Sequence, residues 1–300
     1  MRRPQRGRIG KFRMRPAIVL LALAAACAPH PAIEPLPVLP FHADSTRARV
    51  LSDGVIQRFI YSASGPWAIH LLDVDLDRCN AVVAVASADT TARRVRASQL
   101  IRDLQRRADV LGGVNADFFS LTTGRPTGLL VAEGLEMVPP SAQPVLAFDS
   151  AGTASISVFT QAAGTLAPFH PRNAVGGRPR IVRDSLTVAD IDSAGGKSFA
   201  AGRHPRTAVG LARNARRLIF VVVDGRQKPY SDGMTLRELA SFMLSLGARD
   251  ALNLDGGGST TMVYADPAWP GALAVANRPS DKEGERAVGD ALGIVRRCQQ

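Results

Sequence analysis

The sequence contains few lysines, few histidines and only three cysteines. Only four of its 37 basic residues are lysines, and seven of the 37 lie within the first fifteen positions. The remaining 30 basic residues face 26 acidic ones, an excess too small for a surface that contacts a phosphate backbone. The five histidines are scattered and supply no zinc-type ligand spacing. We therefore expect neither a nucleic-acid partner nor a structural zinc site.

The apolar run near the amino terminus is too short to cross a membrane. Ala17–Ala26 contains ten apolar residues, which span about 15 Å as a helix, half the hydrocarbon thickness. Because this run follows a basic segment, residues 1–26 are predicted to be a signal peptide. Residues 23–27 resemble a bacterial lipobox. Two alternatives stay open: acylation of Cys27, or ordinary cleavage near Ala26 or Ala28.

Such a segment predicts an exported protein: a lipoprotein of the bacterial cell envelope held by a lipid anchor, or a periplasmic or secreted protein. Five prolines between Pro29 and Pro40 predict an extended tether over residues 27–49. The folded domain is then expected over residues 50–298. In an oxidising compartment Cys79 and Cys298 either form a disulfide or remain two isolated thiols, and nothing in the sequence fixes their separation.

The rest of the chain has the composition of a folded domain, since 46% of the 300 residues are hydrophobic. Apolar runs bounded by turn residues predict strands at Trp67–Asp75 and 218–223. Thr235 and Glu238 form a capping box that starts a helix. Segment 161–202 is rich in glycine and is predicted to be mostly loop. Few helices between the strands predict an α+β fold, with a mixed, largely antiparallel β-sheet core and a few flanking helices.

One aspartate is followed by an unusual run of small residues. Asp255 comes directly after the short predicted strand 251–254 and precedes Gly256, Gly257, Gly258, Ser259 and Thr260. Glycines let backbone amides converge on an anion and let a ligand approach the main chain, so the run predicts a phosphate site. It is not a Walker loop, because the lysine is missing and a strand follows. The alternative is a tight glycine turn with a solvated aspartate.

A second polar cluster, Asn115 with Asp117, also follows an apolar strand. Two carboxylates delivered from two strand ends suit glycosyl transfer, one at the developing oxocarbenium ion or water and the other at the leaving group. The alternative is a turn aspartate that binds backbone amides. Arg206, and Arg226 just after Asp224, could each hold a phosphate bidentately or could be surface arginines.

The second half of the chain carries a specific resemblance. Its motifs are HPRTAVG (204–210), VVVDGR (221–226), SDGMTLRELASFMLSLGARDALNLDGGGSTTMV (231–263) and NRPSDKEGERAVGDALGIV (277–295). Together with NADFF (115–119) and AVGGRPRIV (174–182), they resemble the phosphodiester glycosidase family. Ala116 stands where the family commonly has glycine, and a requirement for positive φ at this position would alter the pocket.

The resemblance implies hydrolysis of a sugar 1-phosphodiester in an envelope or extracellular glycan, that is, a phosphorylated sugar or polysaccharide. It implies Asp255 and Asp117 as the carboxylates, and Asn115 and Asn253 as residues that orient sugar hydroxyls or the carboxylates. The remaining expected substrate and phosphate contacts are Arg206, Asp224, Arg226, Gly256, Gly257, Gly258, Ser259 and Thr260.

Two other classes of function stay open from the residues. A metal-dependent phosphodiesterase could hold Ca²⁺ or Mg²⁺ between Asp117, Asp224 and Asp255, because hard cations take oxygen ligands. A non-catalytic glycan-binding lipoprotein could keep the fold without turnover, although such a protein has no need for an anion site beside a carboxylate.

Overall fold

The computed structural model describes residues 33–87, 94–159, 170–212 and 215–298. The predicted signal peptide and the lipobox at Cys27 lie outside these ranges. Within them, no helix is long and apolar enough to cross a membrane. The folded unit begins at Ile33, so part of the segment assigned to the tether belongs to the domain. Phe41 shows this, since its ring centroid lies 4.9 Å from that of Trp67.

The described ranges contain twenty strands, three α-helices and one 3-10 turn. The strands are β1 Ser45–Ser52, β2 Val55–Ser62, β3 Trp67–Asp75, β4 Asn80–Ala86, β5 Val95–Arg96, β6 Asp109–Asn115, β7 Leu130–Ala132, β8 Leu135–Val138, β9 Pro144–Phe148, β10 Ala154–Val158, β11 Asn173–Gly176, β12 Arg180–Arg183, β13 Leu186–Thr187, β14 Arg206–Ala212, β15 Arg217–Val223, β16 Asp250–Asn253, β17 Met262–Ala265, β18 Leu273–Val275, β19 Ala287–Val288 and β20 Asp290–Arg296. The helices are α1 Ala97–Leu104, α2 Lys197–Ala201 and α3 Leu236–Ser245, and the 3-10 turn is Gly257–Ser259.

These strands form three large sheets and one small one. The first has eight strands in the order β1-β2-β3-β15-β14-β16-β12-β13; two have five, in the orders β10-β9-β11-β7-β8 and β18-β17-β6-β20-β4; and β19 pairs with β5. Every strand pair among the described residues is antiparallel. With 44% strand and 10% helix, the fold is more strongly β than the α+β prediction suggested.

The core follows from strands that are apolar on both faces. β15 is buried from Leu218 to Val223, as its unbroken apolar run predicts. The prediction for Trp67–Asp75 is confirmed by β3, which pairs with β15. The described part of the loop-rich segment 161–202 is mostly outside regular structure, as predicted, but it also supplies β11 and β12 to two different sheets. These strands were missed because each has four residues and is bounded by glycine or proline.

The capping box is confirmed at the start of α3. The Thr235 hydroxyl accepts a hydrogen bond from the Glu238 backbone N–H at 3.1 Å, and the Glu238 carboxylate accepts one from the Thr235 N–H at 2.9 Å. Gly247, with φ of +85°, follows the end of the helix. Both helix ends were therefore readable from sequence, since capping depends on side chains within one turn.

We expect Thr235→Ala to destabilise the domain by about 0.5 to 2 kcal/mol, because it removes the acceptor for an otherwise unpaired helical amide. Thermal unfolding of the purified protein measures this effect. Thr122→Ala is the control, because Thr122 is exposed in a turn. Equal melting temperatures for the two variants would contradict the stabilising role of the cap.

The structure decides between the two alternatives for the cysteines. Cys79 and Cys298 form a disulfide, with their Cα atoms 5.3 Å apart and a sequence separation of 219. The bond joins the turn between β3 and β4 to the residues after β20. It therefore fixes the carboxyl-terminal end of β20, which lies between β6 and β4 in its five-stranded sheet.

Candidate active site

Three carboxyl groups, two of them fully buried, meet near the ends of strands from two different sheets. Asp117 follows β6, Asp255 follows β16, and Asp290 opens β20. The Asp255 N–H donates to the carbonyl of Ala116 at 2.9 Å, and the Asp117 N–H donates to Asp290 Oδ1 at 2.8 Å. Asp117 and Asp290 are only 1% and 0% exposed, whereas Asp255 keeps part of its surface open. The arrangement brings together the two carboxylates predicted from sequence and adds a third.

Asp117 sits in a slot lined by two glycines. Its Oδ2 accepts a hydrogen bond from the Gly128 N–H at 2.6 Å, while its Oδ1 is buried without a hydrogen-bond partner in the described structure. A Cβ atom at Gly128 or Gly176 would lie 2.9 or 2.7 Å from Asp117 Oδ2. Glycine is therefore required at both positions for the carboxylate to fit.

Burial raises the pKa values of all three carboxyls, because desolvation disfavours the charged form. The pKa of Asp117 rises to about 7, with a further contribution from the charge of Asp255, against the Gly128 hydrogen bond. The pKa of Asp255 rises to about 6 by burial. Burial also raises the pKa of Asp290 well above its ordinary value, and the neighbouring Asp117 adds to the effect. Perturbed carboxyls in one cluster are typical of a catalytic site.

Asn115 is fully buried and holds the backbone around Asp255. Its Nδ2 donates to the Asp255 carbonyl at 2.7 Å, and its Oδ1 accepts from the Thr207 hydroxyl at 2.8 Å and the Thr261 N–H at 3.0 Å. Of the two roles expected for Asn115, its contacts favour orienting a carboxylate. Ala116, also buried, does not have positive φ, so alanine fits without strain where glycine is common.

Asn253 supports the loop that carries Arg178. Its Nδ2 donates to the Arg178 carbonyl at 2.7 Å, while the Arg178 side chain is exposed and lies 4.9 Å from the ring centre of Phe118. The charge of Arg178 lowers the pKa values of both Asp117 and Asp255. Sequence reasoning did not single out Arg178, although it lies inside the AVGGRPRIV motif.

The glycine run does not form the predicted anion nest with its first two amides. The Gly256 N–H donates to Asp255 Oδ1 and the Gly257 N–H to the Pro205 carbonyl, each at 2.9 Å. The glycines are instead required by packing: a Cβ at Gly256 would lie 2.7 Å from the Pro205 oxygen, and Gly257 has φ of +63°. A Cβ at Gly258 would overlap the carboxylate of Asp281.

An ion pair, Asp281 with Arg286, and two hydroxyl residues, Ser259 and Thr260, lie beside the first glycines of this run. The Asp281 carboxylate is paired with Arg286 at 2.8 Å, and the charge of Arg286 lowers the pKa of Asp255. The Ser259 and Thr260 hydroxyls are buried and make no hydrogen bond of good geometry, although the Ser259 hydroxyl is close enough to lower the pKa of Asp255. Asp281 and Arg286 were missed from sequence, because they lie in a charged turn with the appearance of a solvated loop.

Arg206 is not the phosphate clamp that the sequence predicted. It is 1% exposed, and its Nε donates to the Met234 carbonyl at 2.8 Å. Its Nη2 donates to the carbonyls of Phe199 and Gly202 at 2.8 and 3.0 Å. Both hydrogens of Nη2 are thus used, so two adjacent nitrogens are not free for a bidentate contact. Burial lowers the pKa of Arg206 to about 10, and the nearby charge of Arg226 contributes.

Arg226 lies at the open edge of the glycine run. It is exposed, and its φ of +59° is a strained conformation for a residue with a side chain. Its guanidinium nitrogens would be 3.2 Å from a Cβ at Gly257, and its Nη2 lies 3.4 Å from His204 Nδ1. Burial lowers the pKa of His204, with further effects from Arg206 and Arg226. The position of Arg226 fits contact with an anion near Asp255.

Asp224 is committed to other protein groups and is not open to a ligand. Its Oδ1 accepts from the Arg278 N–H at 2.9 Å and from Asn277 Nδ2 at 3.2 Å. Its Oδ2 accepts from the Tyr230 hydroxyl at 3.0 Å and lies 3.3 Å from His70 Nε2. These contacts correct its predicted role in substrate binding.

The three aspartates of the metal alternative, Asp117, Asp224 and Asp255, are not grouped as ligands. Over the described ranges, no three His, Cys, Asp or Glu side chains are arranged to hold a metal ion. The acidic cluster that the structure does form combines Asp117 and Asp255 with Asp290, beside the cations Arg178 and Arg286.

Carboxyls with raised pKa values, glycines and arginines are thus grouped where strands of two sheets meet, an arrangement that can carry acid–base chemistry. A model of the phosphodiester glycosidase family matches residues 108–295. The chain therefore belongs to the phosphodiester glycosidase family, which is a family of hydrolases. No curated protein sequence shows a significant match to the chain.

Solved structures share the fold at low sequence identity. A hypothetical protein from Synechocystis aligns with a TM-score of 0.64 and 17% identity, covering 85% of this chain and 64% of that chain. The catalytic domain of zebrafish N-acetylglucosamine-1-phosphodiester alpha-N-acetylglucosaminidase, auto-inhibited by its pro-peptide, aligns with a TM-score of 0.61 and 22% identity, covering 85% of each chain. This chain thus spans less than two thirds of the Synechocystis protein.

Proposed function

We propose that this protein hydrolyses a sugar 1-phosphodiester of an envelope or extracellular glycan, with Asp117 and Asp255 at the reacting centre. The observation that carries the proposal is the grouping of the buried Asp117 with the partly open Asp255, with pKa values of about 7 and about 6, beside the exposed guanidinium of Arg178. The guanidinium can bind the negatively charged phosphate of the substrate, and the carboxylates can stabilise the positive charge that develops at the anomeric carbon.

The reaction breaks the bond between the anomeric carbon and the bridging phosphate oxygen. The electron pair of that bond leaves with the phosphate as a monoester, and water supplies the new oxygen on the sugar. A phosphodiester is already a good leaving group, so cations that hold the departing phosphate matter more than a strong acid. The carboxylates stabilise the positive charge that develops on the sugar ring and accept the proton of water.

The phosphate contacts are assigned to Arg178 and Arg226 in place of the buried Arg206. Arg178 is exposed and acts electrostatically on both carboxylates, and Arg226 is exposed against Gly257 of the glycine run. An anion between these guanidinium groups would lie beside Asp255, because the glycine run follows it directly. Guanidinium groups suit this task because they bind phosphate bidentately.

Export is part of the proposal, with the protein anchored through Cys27 or released after cleavage. The disulfide between Cys79 and Cys298 supports it, because such bonds persist in oxidising compartments outside the cytosol. A lipid-anchored protein would be released from membranes by detergent and not by salt, and Cys27→Ser would abolish that behaviour. Wild-type protein that is recovered without detergent would point to ordinary cleavage.

The activity is tested by incubating the purified protein with sugar 1-phosphodiesters, such as N-acetylglucosamine 1-(methyl phosphate), in heavy-oxygen water. A phosphate product without heavy oxygen supports cleavage of the C–O bond, and heavy oxygen in the phosphate contradicts it. A parallel reaction with a chelator identifies a metal-dependent phosphodiesterase if activity disappears and Ca²⁺ or Mg²⁺ restores it. Binding of the compounds without turnover would identify a glycan-binding protein.

We expect Arg178→Gln to raise KM by about 10- to 100-fold, the effect of losing a hydrogen bond to a charged group. The acid limb of the pH profile should also move to higher pH, because Arg178 lowers the pKa values of both carboxylates. The matched control is Arg183→Gln, which removes an exposed arginine at the far end of β12. An unchanged KM for Arg178→Gln would remove Arg178 from the phosphate site.

Arg206→Lys is expected to act differently from Arg178→Gln. A lysine cannot donate to the carbonyls of Met234, Phe199 and Gly202 together. The variant should therefore unfold at a lower temperature, with its KM less affected than that of Arg178→Gln.

A further inference from the structure

Asp290 is a third carboxyl in the site, and the proposed reaction assigns no task to it. It is 0% exposed, and its Oδ1 accepts the backbone N–H of Asp117 at 2.8 Å. Its own backbone also contacts this segment, since the Asp290 carbonyl accepts a hydrogen bond from Ala116 at 3.4 Å. Asp290 therefore fixes the segment that places Asp117.

The second oxygen of Asp290 decides its charge state. Oδ2 is buried and has no hydrogen-bond partner within the described structure. An ionised carboxylate with an unpaired, buried oxygen is far more costly than a neutral acid in the same place. The neutral acid still provides Oδ1 as the acceptor for the Asp117 amide. The geometry therefore favours Asp290 in its protonated form.

Charged groups on neighbouring elements also favour the protonated form of Asp290. Asp117, after β6, and Asp255, after β16, both disfavour a negative charge on Asp290. The nearby cations, Arg178 and Arg286, act instead on Asp117 and Asp255. Three ionised carboxylates in this space would repel one another, so the third is kept neutral.

We propose that Asp290 is a positioning residue for Asp117 that works as a neutral carboxylic acid, so that the negative charge of the cluster is confined to Asp117 and Asp255. This inference rests on the proposed function for its catalytic meaning. Its structural part, a buried protonated Asp290, holds for the protein without substrate.

The decisive measurement compares melting temperatures of the full chain and its Asp290→Asn variant between pH 4.5 and 7.5. Asparagine keeps the acceptor for the Asp117 amide and is always neutral. A carboxyl whose pKa is raised on folding stabilises the protein below its ordinary pKa and loses that contribution as the pH rises. The melting temperature of the variant should therefore rise relative to that of the wild type by about 3 °C for each unit of increasing pH.

Glu283→Gln, which removes an exposed carboxylate in the preceding turn, should show no such trend. A melting-temperature difference for Asp290→Asn that stays constant with pH would overturn the proposal, because it would mean that Asp290 is ionised like a surface carboxylate. Neither measurement needs a substrate, so this outcome is independent of whether a sugar phosphodiester is cleaved.

Infrared spectroscopy provides a second test that does not depend on folding of the Asp290 variant. The wild-type protein and Asp117→Asn should both retain a protonated carboxyl band at neutral pH. Absence of that band from Asp117→Asn would overturn the proposal.

In activity assays, Asp290→Asn should extend the active pH range on the alkaline side, where Asp290 ionises in the wild type. Asp290→Asn should also retain more activity than Asp290→Ala, which loses the acceptor.

Discussion

Asp255→Asn is expected to lower kcat by at least about 100-fold, the scale on which general base or electrostatic assistance is lost. The side chain stays nearly the same size, and its Oδ1 can still accept the Gly256 N–H that it accepts at 2.9 Å. The fold should therefore be retained, and the melting temperature should exceed that of the wild type increasingly as the pH rises towards 6, because burial raises the pKa of Asp255 to about 6 and the amide cannot ionise. Hydrolysis of a sugar 1-phosphodiester at saturating substrate, together with a thermal melt, measures both quantities.

The control for this variant is Asp190→Asn, which removes an exposed carboxylate in a turn before α2. It should match the wild type in kcat and in melting temperature. An active and well-folded Asp255→Asn protein would exclude Asp255 from the chemistry and leave Asp117 as the remaining carboxylate of the proposed reaction.

Asp117→Asn is expected to lower kcat about as much as Asp255→Asn does, and to stabilise the fold. Burial raises the pKa of Asp117 to about 7, so its favourable contribution is complete below the ordinary carboxyl pKa and is lost as the pH rises towards 7. At pH 8 the neutral amide should stabilise the domain by about 4 kcal/mol relative to the charged aspartate. Melting curves at pH 5 and pH 8 should show the gain mainly at pH 8.

The same pKa values give the expected pH profile of the wild type. If both carboxylates act as anions, kcat/KM rises through pH 6 to 7 and then stays high until Asp290 loses its proton at higher pH. A narrow bell-shaped pH profile of kcat/KM, with its maximum between those values, would indicate that one carboxyl must remain protonated as a general acid. That result would contradict the proposal that the phosphate leaves without a strong acid. Asp109→Asn, at the exposed start of β6, is the control and should leave the profile unchanged.

Much of the site could be predicted because its main carboxylates stand at the ends of readable strands. β6 and β16 are short apolar runs, and each delivers an aspartate directly after its last residues. Their meeting was not predictable, since β6 and β16 belong to different sheets and only the packing of those sheets brings the two strand ends together. The capping box of α3 was equally readable, because its hydrogen bonds join residues three apart.

The arginines could not be sorted by the same reasoning. Arg206 and Arg178 both lie in motifs of the family resemblance, and both are next to a proline in the sequence. Only the fold shows that Arg206 donates to carbonyls as far away as Met234, while Arg178 remains exposed beside two carboxylates. The availability of a guanidinium depends on acceptors that are distant in the sequence.

The sequence by itself determined that this chain folds around apolar strands, starts α3 at Thr235 and carries Asp117 and Asp255 at strand ends, because these features depend on local periodicity and capping. Tertiary structure alone decided that the glycines of the run at Gly256 serve packing and that Asp290 joins the carboxylates. Asp290 begins an ordinary apolar strand, and its chemistry arises only where β20 meets the backbone of Asp117. Burial and desolvation, which set its charge, are properties of the assembled sheets.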